Sequence, residues 1–139
     1  MLLFGLLKLL VLIYQMSEDK LQSAVVRYLQ YKYPDVKYCS SIAGAYISTK
    51  TQRSKIIRNG YIKGKNDLDI YEARGGFFGM MIELKEKGYP TKEQKEWIQA
   101  MNDRGYYAIV SKGLDNTIKE IDRYLMMPDT TKRNKYEKD

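Results

Sequence analysis

In the stretch "SEDKLQSAVVRYLQYKY", Leu21, Val25, Tyr28 and Leu29 fall on one apolar stripe at about 100° per residue. The spacing predicts a helix with Ser17 as N-cap, ended by Pro34. Glu18 and Gln22 lie in line with that stripe at its N-terminal end, where polar side chains facing a core need a partner. Alternatively, Glu18 is a first-turn acid facing the helix dipole. Next, "VKYCSSI" (36–42) reads as a strand, and "GAYIS" follows it. A short helix is expected within "TKTQRSKIIRNG", closed by Gly60 just past its end. "DLDIYEA" (67–73) and "FGMMIELK" (78–85) predict two strands joined by "RGG", a hairpin signal. "PTKEQKEWIQAMNDRG" predicts a helix with Thr91 as N-cap and Gly105 beyond its end, with Trp97 and Tyr106 expected in the core. "YYAIVS" (106–111) predicts a short strand and "LDNTIKEIDRYL" (114–125) an amphipathic helix. After Pro128 the chain turns polar and is expected to be loose. This order predicts an α/β fold, a mixed β-sheet with helices on its faces.

Residues 1–15, "MLLFGLLKLLVLIYQ", break the pattern. They are apolar but shorter than the ~20 residues of a spanning helix. They also lack the charged start and small-residue cleavage site of a signal peptide. The expected reading is an extension upstream of a natural start at Met16; the competing reading is a weak membrane anchor. The expected division is an extension at 1–15, one domain at 16–126 and a polar tail at 127–139. No stable membrane association is expected, and the expected location is the cytoplasm.

Composition narrows the chemistry. The chain has one cysteine and no histidine. That excludes an intramolecular disulfide, a Cys-based zinc site, Ser-His-Asp triads and His-metal hydrolases. Catalysis would have to use Asp, Glu, Lys, Tyr, Ser or Arg, which favours carboxylate-bound Mg²⁺ or Mn²⁺. The formal charge is +7. Residues 36–66 contain no acid but hold seven bases: Lys37, Lys50, Arg53, Lys55, Arg58, Lys63 and Lys65. Without those seven, 17 bases face 17 acids. The excess is thus one segment ending beside Asp67, which points to phosphates and to Lys50, Arg53, Lys55, Arg58, Lys63 and Lys65 as candidate DNA contacts. The alternative is a solvated lysine-rich surface.

Glu83-Leu84-Lys85 closes an apolar strand, and alternation puts Glu83 and Lys85 on one face. If the two hairpin strands pair antiparallel, Asp67 at the start of one meets Glu83 and Lys85 at the end of the other. Two carboxylates suit a hard divalent cation, which polarises a phosphate and activates water. A nearby ammonium can orient that water or stabilise the charge developing on the phosphorane oxygens. Ordinary strand-end charges are the plain alternative.

These residues also carry a resemblance. The chain from Ser17 to Leu125 resembles the virus-type replication-repair nuclease (VRR-NUC) branch of the PD-(D/E)xK nuclease superfamily. The matching blocks, in order, are "SEDKLQSAVVRYLQYKYPDV", Gly64-Lys65-Asn66-Asp67-Leu68, Ile82-Glu83-Leu84-Lys85, "TKEQKEWIQAMNDRGYYAIV" and a last helix ending in Tyr124-Leu125. The resemblance implies a restriction-endonuclease-like core, with Asp67 and Glu83 as metal ligands and Lys85 as the catalytic lysine. Gln94 matches the family's helix glutamine, although Thr91-Lys92-Glu93-Gln94 also reads as a capping box. The family's first-helix acid maps to Glu18, beside Gln22, as a further catalytic residue and metal ligand. Asn66 stands where the family often has proline, and Asp69 where it often has an apolar residue. The implied function is a stand-alone, metal-dependent DNA endonuclease acting on branched DNA as a homodimer. The rival reading is a non-catalytic DNA-binding protein that keeps the fold.

Overall fold

The computed structural model describes residues 18–41 and 49–131, together with Leu3 and Gly5. The expectations for Met16 and Ser17, for the rest of the N-terminal extension, for "GAYIS" and for the tail from 132 lie outside the described residues. Helix α1 (Glu18–Lys32) is followed by β1 (Tyr38–Ser40), α2 (Lys50–Arg58), β2 (Leu68–Ile70), β3 (Met80–Lys85), α3 (Lys92–Asp103), β4 (Tyr107–Lys112) and α4 (Leu114–Leu125). The strands form one sheet in the order β1-β2-β3-β4, antiparallel except for the parallel pair β3–β4. A parallel pair needs a crossover, and α3 supplies it. The result is the α/β fold the alternation predicts: a mixed sheet with helices against it. No described helix is long and apolar enough to cross a membrane.

Helix α1 buries Leu21, Val25 and Leu29 completely, in one cluster with Leu68, Ile70, Met80, Ile82 and Leu84 of the sheet and Ile121, Tyr124 and Leu125 of α4. Each such side chain contributes about 1.5–3 kcal/mol by leaving water. The α1–α4 contact is pinned at Asp122, which accepts the hydroxyls of Tyr28 and Tyr33 at 2.6 Å each and pairs with Lys32 at 3.1 Å. Pinning that end of α1 fixes the direction of its first turn, which carries Glu18 and Gln22.

Helix α3 begins at Thr91 with a complete capping box, and Gly105 follows its end at φ 93°. The Asn102 amide then pairs with both the N–H and the C=O of Ala108, at 3.0 and 2.8 Å. It acts as a one-residue strand, covering the edge of β4 there. Trp97 and Tyr106 are half-buried and stand outside the central cluster. Trp97 donates to Asn66 Oδ1 at 2.9 Å, and Tyr106 packs edge-on against Phe78.

The "RGG" turn is present, with Gly75 and Gly76 both at positive φ and Phe77 N–H bonded to Arg74 C=O at 2.9 Å. The strands are shorter than expected and do not reach it. The chain at 128–130 takes the hairpin tip's backbone groups instead: Gly75 N–H donates to Pro128 C=O at 2.8 Å, and Thr130 N–H to Ala73 C=O at 3.0 Å. The segment expected to be loose after Pro128 is therefore docked through Thr130.

Candidate active site

Asp67 stands one residue before β2 and is held from three sides. Its N–H donates to Ile82 C=O at 3.0 Å, its C=O accepts from Ser41 N–H at 2.7 Å, and its Oδ2 accepts from Leu84 N–H at 2.7 Å. The side chain thus takes the place of a backbone rung, which is why the strand ends at Leu68 and the carboxylate stays beside β3. Within the hairpin Leu68 pairs with Ile82, so continuing the register sets Asp67 opposite Glu83.

Glu83 is 1% exposed. Its Oε1 accepts from Gln94 Nε2 at 2.6 Å and lies 3.4 Å from Lys85 Nζ. Its Oε2 is buried without a hydrogen-bond partner. Gln94 makes two contacts at once, because its Oε1 also closes the capping box by accepting Thr91 N–H at 2.8 Å. Lys85 Nζ reaches Glu18 Oε1 at 3.8 Å, and Glu18 is half-exposed on the opposite wall. Burial, and after it the Asp67 charge, push the Glu83 carboxyl up to about 7, with Lys85 opposing. Burial also raises Asp67, against the Leu84 N–H and the Lys85 charge. Buried Glu83 and half-buried Asp67 therefore both hold a proton more readily than exposed carboxylates do.

The pair opens into a cavity of about 380 Å³, walled by Glu18, Asp19 and Gln22 of α1, by Tyr61, Lys63, Gly64 and Lys65, and by Thr91 and Gln94 at the start of α3. Among the described residues no three His, Cys, Asp or Glu side chains gather as a complete ligand set. The structure brings Asp67, Glu83, Lys85 and Gln94 together, and Glu18 joins only across Lys85.

Sequence reasoning missed two residues here. Tyr61 lines the cavity, and its hydroxyl is raised by burial and then by the charges of Glu83 and Asp67. Its only mark in the sequence is its position inside the basic segment. Asn66 is fully buried. Its Nδ2 donates to Leu68 C=O at 2.8 Å and Asp69 Oδ1 at 2.7 Å, while its Oδ1 accepts from Trp97 and from Lys65 Nζ at 3.2 Å. Where proline would restrict the backbone before Asp67, this amide locks it by hydrogen bonds. Asp69 is spent in the same network, 2.7 Å from Lys65 Nζ.

The basic residues divide accordingly. Lys50, Arg53, Lys55 and Arg58 are exposed on α2, which buries no residue. Lys63 is exposed on the cavity rim near Glu93, at 3.8 Å. Lys65 lines the cavity but is committed to Asp69. Gly64 is what lets this segment reach α3: it sits at φ 98°, and a Cβ there would meet Glu93 O at 2.6 Å.

No family model matches the chain, and no curated protein matches it. Among solved structures, a VRR_NUC domain protein is 31% identical, with a TM-score of 0.70 over 82% of this chain and 92% of that one. The chain belongs to the VRR-NUC family. A VRR-NUC fold is a nuclease fold, so the cavity belongs to a nuclease domain.

Proposed function

We propose that this VRR-NUC domain is a divalent-metal-dependent endonuclease that hydrolyses DNA phosphodiesters in the cavity beside Asp67 and Glu83. The observation that carries this reading is Glu83 Oε2, a buried carboxylate oxygen without a partner beside a second carboxylate. Burying an ion costs several kcal/mol unless something compensates it, and a hard cation does so. Asp67 and Glu83 would hold Mg²⁺ or Mn²⁺. Two carboxylates fit an ion that takes its other oxygens from substrate phosphate and water. Glu18 is the candidate third carboxylate on the facing wall. When bound, the cation supplies Lewis-acid polarisation of the phosphate and acidifies water.

The chain's own residues do the rest. Gln94 holds Glu83 Oε1, leaving Oε2 free for the ion. Lys85 cannot ligate a cation, and its ammonium offsets the charge that grows as phosphorus is attacked. The exposed bases of α2, with Lys63 at the rim, hold the DNA backbone. Branched DNA, including four-way junctions, is the proposed substrate class. A two-fold homodimer would present one cavity to each of two strands.

The test is a cleavage panel on linear duplex, flap, single-stranded and four-way junction DNA in Mg²⁺, Mn²⁺ or EDTA. Cleavage in either metal and none in EDTA is expected, fastest on the branched forms. Binding without cleavage under every condition would leave a DNA-binding module in a nuclease fold.

A further inference from the structure

Beyond the cavity, the same sheet face carries exposed side chains that core packing does not explain. In the parallel pair β3–β4, Glu83 is level with Val110 and Lys85 with Lys112. Register partners in parallel strands share a face, and neighbouring strands lie about 4.8 Å apart. The strand beside the carboxylate and the lysine therefore presents Val110 and Lys112. Helix α3 covers this face lower down, where Ala108 is buried and held by Asn102. Higher up it does not: Val110 is 38% exposed, and Lys112 is exposed. The loop from β3 to α3 then places Tyr89 here, 85% exposed, with Lys112 Nζ 5.0 Å from its ring centroid. Two residues further on, Thr91 lines the cavity.

We propose that Tyr89, backed by Lys112, is a stacking platform for an unpaired DNA base next to the scissile phosphate. This deepens the DNA-cleaving reading above and rests on it. An ammonium occupies one face of the ring by a cation–π contact and leaves the other face to solvent. Every base offers a π-face of its own, and a cation beside the ring suits the adjoining phosphate. Inside a duplex both faces of a base are already stacked. The platform therefore takes only a nucleotide freed at a gap, flap or junction, which gives the site a preference for interrupted DNA without reading sequence.

The experiment uses the full chain in EDTA at low salt, so that binding is read without cleavage. One DNA is a duplex with a short single-stranded gap carrying 2-aminopurine; the other is fully paired. Wild-type protein should quench the gap fluorescence and prefer the gapped DNA. Tyr89→Ala should lose the quenching and bind gapped DNA about 5- to 150-fold more weakly, the range that stacking of one base supplies. Its affinity for paired duplex should not change, and Tyr89→Phe should behave as wild type. Equal quenching by wild type and Tyr89→Ala, or an equal loss on both DNAs, would overturn the platform while leaving the nuclease reading standing. Wild-type protein that binds neither DNA and cleaves none in Mg²⁺ would overturn both.

Discussion

The Asp67 carboxylate holds the Leu84 N–H and Glu83 is left with one bare oxygen, so the two carboxylates predict different mutants. Asp67→Ala strips the Leu84 N–H of its acceptor, which costs about 1–3 kcal/mol, and should lower the melting temperature as it abolishes cleavage. Glu83→Gln keeps an oxygen for the Gln94 amide and removes the buried charge. Its melting temperature should hold or rise while Mn²⁺ binding and cleavage disappear. Calorimetric Mn²⁺ titration checks both, and unchanged binding in the two variants would sink the proposed ligand pair. Lys85→Ala should lose cleavage yet keep Mn²⁺ and DNA binding; normal turnover would return Lys85 to an ordinary strand-end charge. Asn66→Ala would leave Trp97 Nε1 and an Asp69 oxygen short of a partner, a loss of about 2 kcal/mol or more readable in urea unfolding. A cost under about 0.5 kcal/mol would show that the loop before Asp67 does not depend on that amide. Asp67, Glu83 and Lys85 were legible because strand alternation and one antiparallel hairpin suffice to bring them together, whereas Gln94, on α3, was marked only by the family resemblance and its capping box. The roles of Asn66 and Tyr61 were not, since the Trp97 bond to Asn66 comes from α3 and Tyr61 meets Glu83 across the cavity, and no local spacing encodes either.

At the scale of elements, helices were the more readable because their signals are local. The capping box and Gly105 bound α3, and Gly60 at φ 108° follows α2 as expected. Strand lengths were less readable because distant groups decide them. A segment some fifty residues on takes the hairpin tip, and the Asp67 side chain closes β2. The polar pair on the α1 stripe can be tested as an element. Gln22 is half-buried and Glu18 half-exposed, and both wall the cavity. Replacing both with Leu should leave the melting temperature level or higher and reduce cleavage sharply. A less stable but fully active double variant would make them helix-start polar residues only. Helix α2 predicts a loss at the binding step rather than at cleavage. It buries nothing, so Arg53→Ala with Arg58→Ala should spare stability, weaken DNA binding, and reduce the salt slope by about 0.9 per lost phosphate contact. An unchanged salt slope would put the DNA path elsewhere.

For the molecule as a whole, the carboxylate pair couples the stability of the domain to pH and metal. Glu83 titrates at about 7 in the fold against an ordinary 4.5, burial being the first cause and Asp67 the second. A carboxyl raised in the folded state binds its proton more tightly there than in the unfolded chain. Its contribution is therefore fully present below about 4.5 and is lost as pH rises through about 7. Asp67 shifts in the same direction. A divalent ion reverses the dependence, because it needs both carboxylates ionised and competes with the proton on Glu83. In EDTA, the melting temperature should fall more steeply between about pH 5 and pH 8 in wild type than in Glu83→Gln, the difference isolating this one group. Adding Mn²⁺ should raise wild-type melting more at about pH 8 than at about pH 6, and should not move Glu83→Gln at either. Cleavage should follow the same ionisation, rising across neutrality with the fraction of Glu83 that has lost its proton. Parallel EDTA curves for wild type and Glu83→Gln would mean that Glu83 is already ionised in the metal-free fold, and the bare Oε2 would then need a protein or solvent cation to explain its burial.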